Sequence, residues 1–590
     1  MTVNQTGIKL VSPEVVSNNN YDVVVVGAGI AGAIVAKQLS KEGKSVLIVE
    51  AGTAEGLNID GFYSYVRNYH RAVSKHSNSP YPINNNAVSP TDGIRGYFEE
   101  KGPFPISGSY TRITGGTTMH WEGKTLRMLP EDFELKTKYG VGLDWPISYD
   151  DLQPYYSMAE YEIGVSGDLD EQKELGIPFE YNYNFPMKKI PPSYLDERVR
   201  EGIDGTSVKM GGTSIELKLS TFPQGRNGEV NPNITYQSGA KCQGNGSCVP
   251  ICPYQAKYDA RRTLNSIPSS NQVHLLPQAV ASKVEVDADS GRVLSIQYKH
   301  YVDKDSPEHS VNSVKGKVYV LAANAVENAR LMLASNLKST SGLMGKNLMD
   351  HPFLLAWGLM PEPAGAMRGP LVTSGLGVFR NGEFRANLAA FGMDIHNDGW
   401  GWSGTGVSDV VRSSVNNNFY GKILRRELVD KISKQILLAF MLELPADPNN
   451  QITVDPQYTD QLGNLRPVVH FDLPEYCKKS IAYTRELSRS IFDRIGAEDH
   501  THYDESDPSY FEFNGEGYWF RGGNHFSGTH IMGTHKSNSV VNEQLRCWDH
   551  DNLYMLGSGS MPSIGSANTS LSIAALSYRA AKQLLSVLRD

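Results

Sequence analysis

Three cysteines, Cys242, Cys248 and Cys252, fall within eleven residues in the run KCQGNGSCVPICP, in a chain that has only five. Thiolates packed this closely suit an iron–sulfur cluster, whose irons are held by cysteine sulfur. Three ligands rather than four point to a three-iron cluster. Such a cluster passes electrons one at a time, so the run implies a redox protein that hands electrons onward. The alternatives are a zinc site completed by a histidine, or structural thiols on a Gly-rich loop. No histidine lies within a few residues of the run, which weakens the zinc reading. Cys477 and Cys547 stand alone, and nothing in the spacing implies a disulfide framework.

A second chemical signal lies near the N-terminus. Residues 21–26, YDVVVV, form a β-branched run that reads as a buried strand. It leads into GAGIAG, with Gly27, Gly29 and Gly32 at dinucleotide spacing, and then into AIVAKQLSKEG at helical period. SVLIVE follows as another strand, ending in Glu50. In this pattern Gly27 permits the tight turn, Gly29 lets a pyrophosphate approach the backbone, and Gly32 allows close helix–strand packing. The helix N-terminus faces the phosphates, and Glu50 can accept from ribose hydroxyls. A lone Gly-x-Gly-x-x-Gly is weak; here strand, helix and acid all stand in place.

The elements that must hold these groups recur along the chain. KVYVL (317–321) runs into AANAVENARLMLAS, again strand then helix. LYML (553–556), the small-residue loop GSGSMPSIGSANTS and the helix LSIAALSYRAAKQLLSVL repeat the pattern near the C-terminus. A hairpin is expected to turn at Asp289–Gly291. NQITVDP and PVVHFDL read as further strands. The fold class is therefore α/β (α+β overall). A Rossmann-like domain is assembled from residues 21–139, 263–351 and 525–590, and an inserted substrate-binding domain, 140–262 and 352–524, carries the 241–253 loop and is expected on an antiparallel sheet. Residues 1–20 are expected to be a flexible leader, without the basic start, apolar core and cleavage site of a secretory signal.

Composition narrows the function classes. The chain has 590 residues, 40% of them hydrophobic, and a formal net charge of −8. That length suits two interleaved domains. The charge argues against a nucleic-acid partner, since no basic stripe is present to neutralise phosphates. No apolar stretch reaches the roughly 18 residues expected of a membrane span.

Taken together, these residues resemble the glucose–methanol–choline (GMC) oxidoreductase family, which binds FAD. The likeness covers nearly the whole chain and rests on the N-terminal fingerprint, TGGTTMHW (114–121), GKNLMDHP (345–352) and GTHIMG…NLYMLGSGSMPSIGSANTSLSIAAL. Within the family, GGTTMHW, LPEDFELKTKYGVGLDWPISYDDLQPYY and the Cys-x5-Cys-x3-Cys run are most similar to the flavoprotein subunits of bacterial fructose, gluconate and glucose dehydrogenases. The resemblance implies a 3Fe-4S cluster on Cys242, Cys248 and Cys252. One departure is Gln243, where the relatives tend to have a second cysteine beside the first.

The resemblance also assigns roles at the flavin. His525, in GGNHFSGTHIMG, matches the family's base, with His530 and His535 nearby as alternatives; His530 is expected to pack near the flavin or the entrance. Asn568, in GSANTS, matches the partner that orients the substrate hydroxyl, against the plain alternative of a helix N-cap. Such an oxidation needs a base for the hydroxyl proton and a hydride acceptor, and imidazole is the side chain ordinarily poised near neutral pH. Gly115, Gly116, Gly557 and Ser558 are implied at the cofactor, and Asn524 is a candidate substrate contact. His120 matches a histidine that bonds covalently to flavin in pyranose oxidases; a noncovalent pocket histidine is the alternative. Segments 389–402 and 515–524 are candidate pocket walls.

The expected activity is an FAD-dependent sugar dehydrogenase acting on a hydroxyl of a pyranose, glycoside or related polyol. Electrons would leave through the cluster to a cytochrome c or quinone acceptor. The alternatives are a pyranose-oxidase-like flavin oxidase and a non-catalytic FAD-binding subunit. The resemblance further implies a periplasmic location, reached with a small export or chaperone subunit.

Overall fold

A computed structural model describes residues 8–72, 76–90, 96–106, 108–230, 239–268, 272–337 and 339–589. Its first layer is a six-stranded, wholly parallel sheet. The strand order is Ile8–Leu10, Val273–Leu276, Val46–Val49, Tyr21–Val26, Gly316–Leu321 and Leu553–Met555. Val23, Val24 and Val25 are fully buried at its centre, as expected of a parallel sheet covered on both faces. The helix Ile30–Lys41 packs against the C-terminal helix Thr569–Val587. An antiparallel sheet of Ala279–Val286, Val293–His300 and Ser310–Val314 adjoins them, with the expected hairpin between its first two strands.

The second domain is built on a seven-stranded antiparallel sheet. Its path runs Glu498–Asp499, Pro352–Leu359, Gln435–Leu442, Phe391–His396, Val372–Leu376 and Leu219–Thr221, with Arg521–Gly522 also pairing to Pro352–Leu359. Alternation divides its faces. The long helix Glu475–Ile495 covers one face. Phe353, Leu355, Trp357, Leu437, Ala439 and Met441 form a separate apolar cluster on the other. In the same register Asp394 lies opposite Ala439 and His396 opposite Leu437, so both stand on that second face.

Three expectations change. Within the leader, residues 1–7 lie outside the described residues, but Ile8–Leu10 forms the edge strand of the parallel sheet and Pro13–Ser17 a short helix. Three residues carry too little pattern to be read alone; pairing with Val273–Leu276 stabilises them. The helix Tyr149–Ile163, expected in the substrate domain, packs on Thr569–Val587, with Tyr156 bonded to Ser572 and Glu162 to Lys37. The hairpin Gln451–Thr459 and Leu465–His470, also assigned to the substrate half, packs on the helix Ala325–Ala334 instead. Among the described residues, no helix is long and apolar enough to cross a membrane.

Candidate active site

A cavity of about 1130 Å³ runs from the dinucleotide fingerprint to the antiparallel sheet. Its nucleotide end is cut from backbone. Gly27 has φ +104°, and a Cβ there would lie 2.7 Å from the Ala322 carbonyl oxygen; one on Gly32 would lie 2.1 Å from the Gly27 carbonyl oxygen. Gly29 differs, because a Cβ there would meet nothing of the protein closer than 4.0 Å. Gly27 and Gly32 are therefore required by packing, whereas at Gly29 the space is open. Gly557 is likewise free of protein neighbours and lines the cavity. Glu50 is buried, its two oxygens accepting from the Ala28 and Gly52 N–H groups at 2.9 and 2.8 Å. It closes the loop while remaining in the cavity wall. The Gly115–Gly116 turn meets Gly29 backbone to backbone. Ser558 donates to the Phe526 carbonyl at 2.5 Å, so its hydroxyl serves the loop.

Where this cavity reaches the second domain, three imidazole and carboxyl groups converge. Among the described residues, Asp350, His351 and His525 bring ligand-type atoms within 4.8 Å of one another. His351 Nε2 lies 3.0 Å from the Gly565 carbonyl, which can only accept, so that nitrogen carries the proton. His351 Nδ1 then holds a lone pair and accepts from His525 Nδ1–H at 2.9 Å. This leaves a lone pair on His525 Nε2, 3.3 Å from the Asn568 amide nitrogen. Burial, with neighbouring His351 and the Lys124 charge opposing a second positive charge there, holds His525 well below the ordinary histidine pKa. Burial likewise brings His351 down to about 3. His525 is thus a neutral imidazole in the cavity wall whose Nε2 lone pair accepts from the Asn568 amide.

Asp350 supports this chain from behind. It accepts the His525 N–H at 2.7 Å, the His351 N–H at 2.8 Å and the Asn524 N–H at 3.2 Å. Burial raises its pKa to about 7. Asn568 occupies the N-cap position of the last helix but makes no side-chain capping bond; its amide donates to His525 Nε2 instead. Its Oδ1 is buried without a partner. Asn524 lines the cavity too, but its Oδ1 accepts from the Ser109 N–H, leaving only the amide hydrogens for a ligand.

The other two histidines are set apart. His530 is buried against Gly559 and the Asn328 amide, and His535 is exposed beside Ser537. His120 is buried in the cavity wall. Thr111 donates to Asn78 at 2.8 Å, so its oxygen receives His120 Nδ1–H at 2.5 Å. His120 Nε2 therefore has its lone pair free, and it is buried with no partner. Burial and the Lys257 charge keep this histidine neutral, with a pKa of about 3.

The cysteine loop reaches the same cavity, since Gly246, Val249 and Pro250 line it. Cys248 is buried, Cys242 and Cys252 are half-buried, and all five cysteines are free. The three sulfurs interact electrostatically with one another and with the buried Arg226. Burial works against the Arg226 charge, yet the three thiols and Glu122 outweigh it and raise its pKa. Arg226 Nε is buried with no partner. Lys257 also faces the loop, donating to the Cys248 and Trp121 carbonyls. The charges of Arg226 and Lys257 both interact with these sulfurs, which suits an anionic group held by them.

Sequence reasoning missed His351 and Asp350, although the GKNLMDHP motif contains both. His351 meets His525 across 174 residues of chain, and no local pattern reports such a contact.

Fold and cavity together define a dinucleotide-binding oxidoreductase with a substrate domain set against its nucleotide domain. Models of the GMC oxidoreductase family match residues 226–353 and 446–577, and a Rossmann-like NAD(P)-binding model matches residues 25–71. The chain is 31% identical to the fructose dehydrogenase large subunit of Gluconobacter japonicus, covering 96% of this chain and 98% of that one. It is 21% identical to the gluconate 2-dehydrogenase flavoprotein of Pantoea cypripedii, over 95% and 93% of the two chains. Pyridoxine 4-oxidase from Mesorbium loti shares the fold, with a TM-score of 0.60 at 15% identity over 96% of this chain and 99% of that one. The chain belongs to the GMC oxidoreductase family and is an FAD-binding oxidoreductase acting on CH–OH groups.

Proposed function

We propose that this protein is a sugar dehydrogenase that oxidises a hydroxyl of a pyranose, glycoside or related polyol and passes the electrons out through iron–sulfur chemistry. Bound at these sites, FAD supplies a hydride acceptor and a three-iron cluster supplies one-electron transfer. Gly27, Gly29, Gly32, Gly115, Gly116 and Gly557 would hold the dinucleotide, and Cys242, Cys248 and Cys252 the cluster.

His525 Nε2 takes the proton of the substrate hydroxyl. Its pKa is low enough to leave it unprotonated at neutral pH, and its lone pair is turned to the cavity by the His351–Gly565 chain. Asn568 donates to the hydroxyl oxygen and so orients the C–H bond. Both groups stand at the N-terminus of Thr569–Val587, whose dipole favours negative charge there. His120, with its free Nε2, suits a covalent bond to the flavin.

The observation that carries the reading is shared lining: the cysteine loop and the His525–Asn568 pair border one cavity. The relatives are named as a large subunit and a flavoprotein, consistent with a small export subunit and a cytochrome c or quinone acceptor in the periplasm.

The test is iron and acid-labile sulfide in purified holoenzyme, with turnover measured in Cys248→Ser. Expected are about three irons per chain by the Cys242/Cys248/Cys252 reading, and loss of turnover with external acceptors while anaerobic flavin bleaching by sugar persists. Iron-free enzyme with full turnover would overturn it. In the same preparation, flavin remaining with acid-denatured protein, and lost in His120→Ala, would identify the covalent bond.

A further inference from the structure

His396 is a buried polar group that the reaction at His525 does not use. It ends the strand Phe391–His396, is only 2% exposed and lines the cavity. Its Nδ1 lies 3.3 Å from the Asp398 carboxylate, which fixes the ring, and its Nε2 is buried with no partner. A buried imidazole nitrogen left without a partner costs free energy unless a ligand completes it.

An aromatic wall leads to it from the reacting groups. A Cβ placed on Gly523 would lie 2.8 Å from both His525 Nδ1 and the Phe353 ring, so that ring begins beside the base. The Trp402 ring centre is 4.8 Å beyond Phe353, and His396 is 5.2 Å beyond Trp402. The unpartnered nitrogen belongs to the ring two contacts along this wall from Phe353, with Trp402 between them. A second unit placed past Trp402 would satisfy it.

Charge narrows the ligand further. Among the described residues, three cations that line the cavity have their own carboxylates: Lys124 with Asp394 at 2.5 Å, Arg521 with Asp507 at 2.7 Å, and Arg412 with Asp409 at 3.4 Å. Glu122, also in the wall, has a buried carboxylate oxygen with no partner. These three pairs are neutral and Glu122 adds negative charge, which does not favour a carboxylate ligand. A hydroxyl fits better, because it can donate to a neutral Nε2 or accept from a protonated one.

We infer that His396, braced by Asp398 and walled by Trp402 and Phe353, forms a distal subsite for a second, uncharged sugar unit. The inference rests on the sugar-dehydrogenase reading above. It makes a neutral disaccharide or glycoside the preferred substrate, and it predicts discrimination against sugar acids.

The experiment uses the holoenzyme and an artificial electron acceptor. Glucose and fructose are compared with maltose, cellobiose and sucrose, and with gluconate and lactobionate, in the parent, His396→Ala, His396→Gln and Trp402→Ala. The expected result is kcat/KM at least about tenfold higher for one or more neutral disaccharides than for its component monosaccharides, a difference of about 1.4 kcal/mol. His396→Ala and Trp402→Ala should abolish that advantage through KM and leave monosaccharide turnover unchanged, and His396→Gln should restore part of it. Equal kcat/KM for monosaccharides and disaccharides, an equal loss for both in His396→Ala, or preference for an acid would overturn the subsite while leaving the dehydrogenase intact. If no sugar bleaches the flavin anaerobically, the dehydrogenase reading fails and the subsite with it.

Discussion

Replacing His351 with leucine tests the hydrogen-bond chain behind the base. In the parent, His351 Nδ1 is the acceptor for His525 Nδ1–H, and the Gly565 carbonyl sets which His351 nitrogen can play that part. Leucine fills much of the volume but accepts nothing. The stranded His525 N–H then costs about 1–3 kcal/mol, the range for a buried donor without a partner. That cost is relieved if the proton moves to Nε2, where it blocks the lone pair that receives the substrate proton. Converted at about 1.4 kcal/mol per tenfold, kcat should fall about 5- to 150-fold with little change in KM. His351→Gln keeps a donor for Gly565 and an acceptor for His525, so it should recover most of the rate. The assay is steady-state turnover from pH 5 to 9, with flavin content and thermal midpoint measured on each variant. If His351→Leu and His351→Gln lose rate equally at equal flavin content, or if neither loses rate, the tautomer argument is wrong.

Other outcomes follow from the same geometry. Gly29→Ala should fold normally and lose FAD affinity, because the added methyl occupies open space. Gly32→Ala should lower the thermal midpoint even without cofactor, because its methyl meets the Gly27 carbonyl. Apo-protein melting and flavin titration separate the two, and equal behaviour would contradict the packing account. Buried His530 titrates at about 3 against about 6.5 unfolded. A depressed histidine pKa means the unfolded chain binds more protons below 6.5, so its contribution to stability is lost as pH falls. The parent's stability should therefore drop relative to His530→Gln by about 1.4 kcal/mol per pH unit between pH 6.5 and about 3. Parallel denaturation curves across that window would refute the assignment.

Some of this protein is legible residue by residue. The strand, the glycine fingerprint, its helix and the strand that ends before Glu50 form one local unit, so spacing alone reports those elements, and the structure contains them. The turn at Asp289–Gly291 is local in the same way. His525 and Asn568 needed the family's motifs to be singled out, and their meeting at 3.3 Å is a tertiary fact.

What only the tertiary structure decided lies in contacts between distant segments. His351 reaches His525 from the start of a sheet strand, Asp350 ties three backbone N–H groups around it, and His396 becomes conspicuous only because its outer nitrogen is buried without a partner. The Ile8–Leu10 strand exists because an edge was there to receive it. The physical reason is common to all four. Period and spacing report the backbone a segment prefers by itself, whereas proton position, burial and unmet hydrogen bonds are properties of the surroundings, and those are assembled only when the two domains close around one cavity.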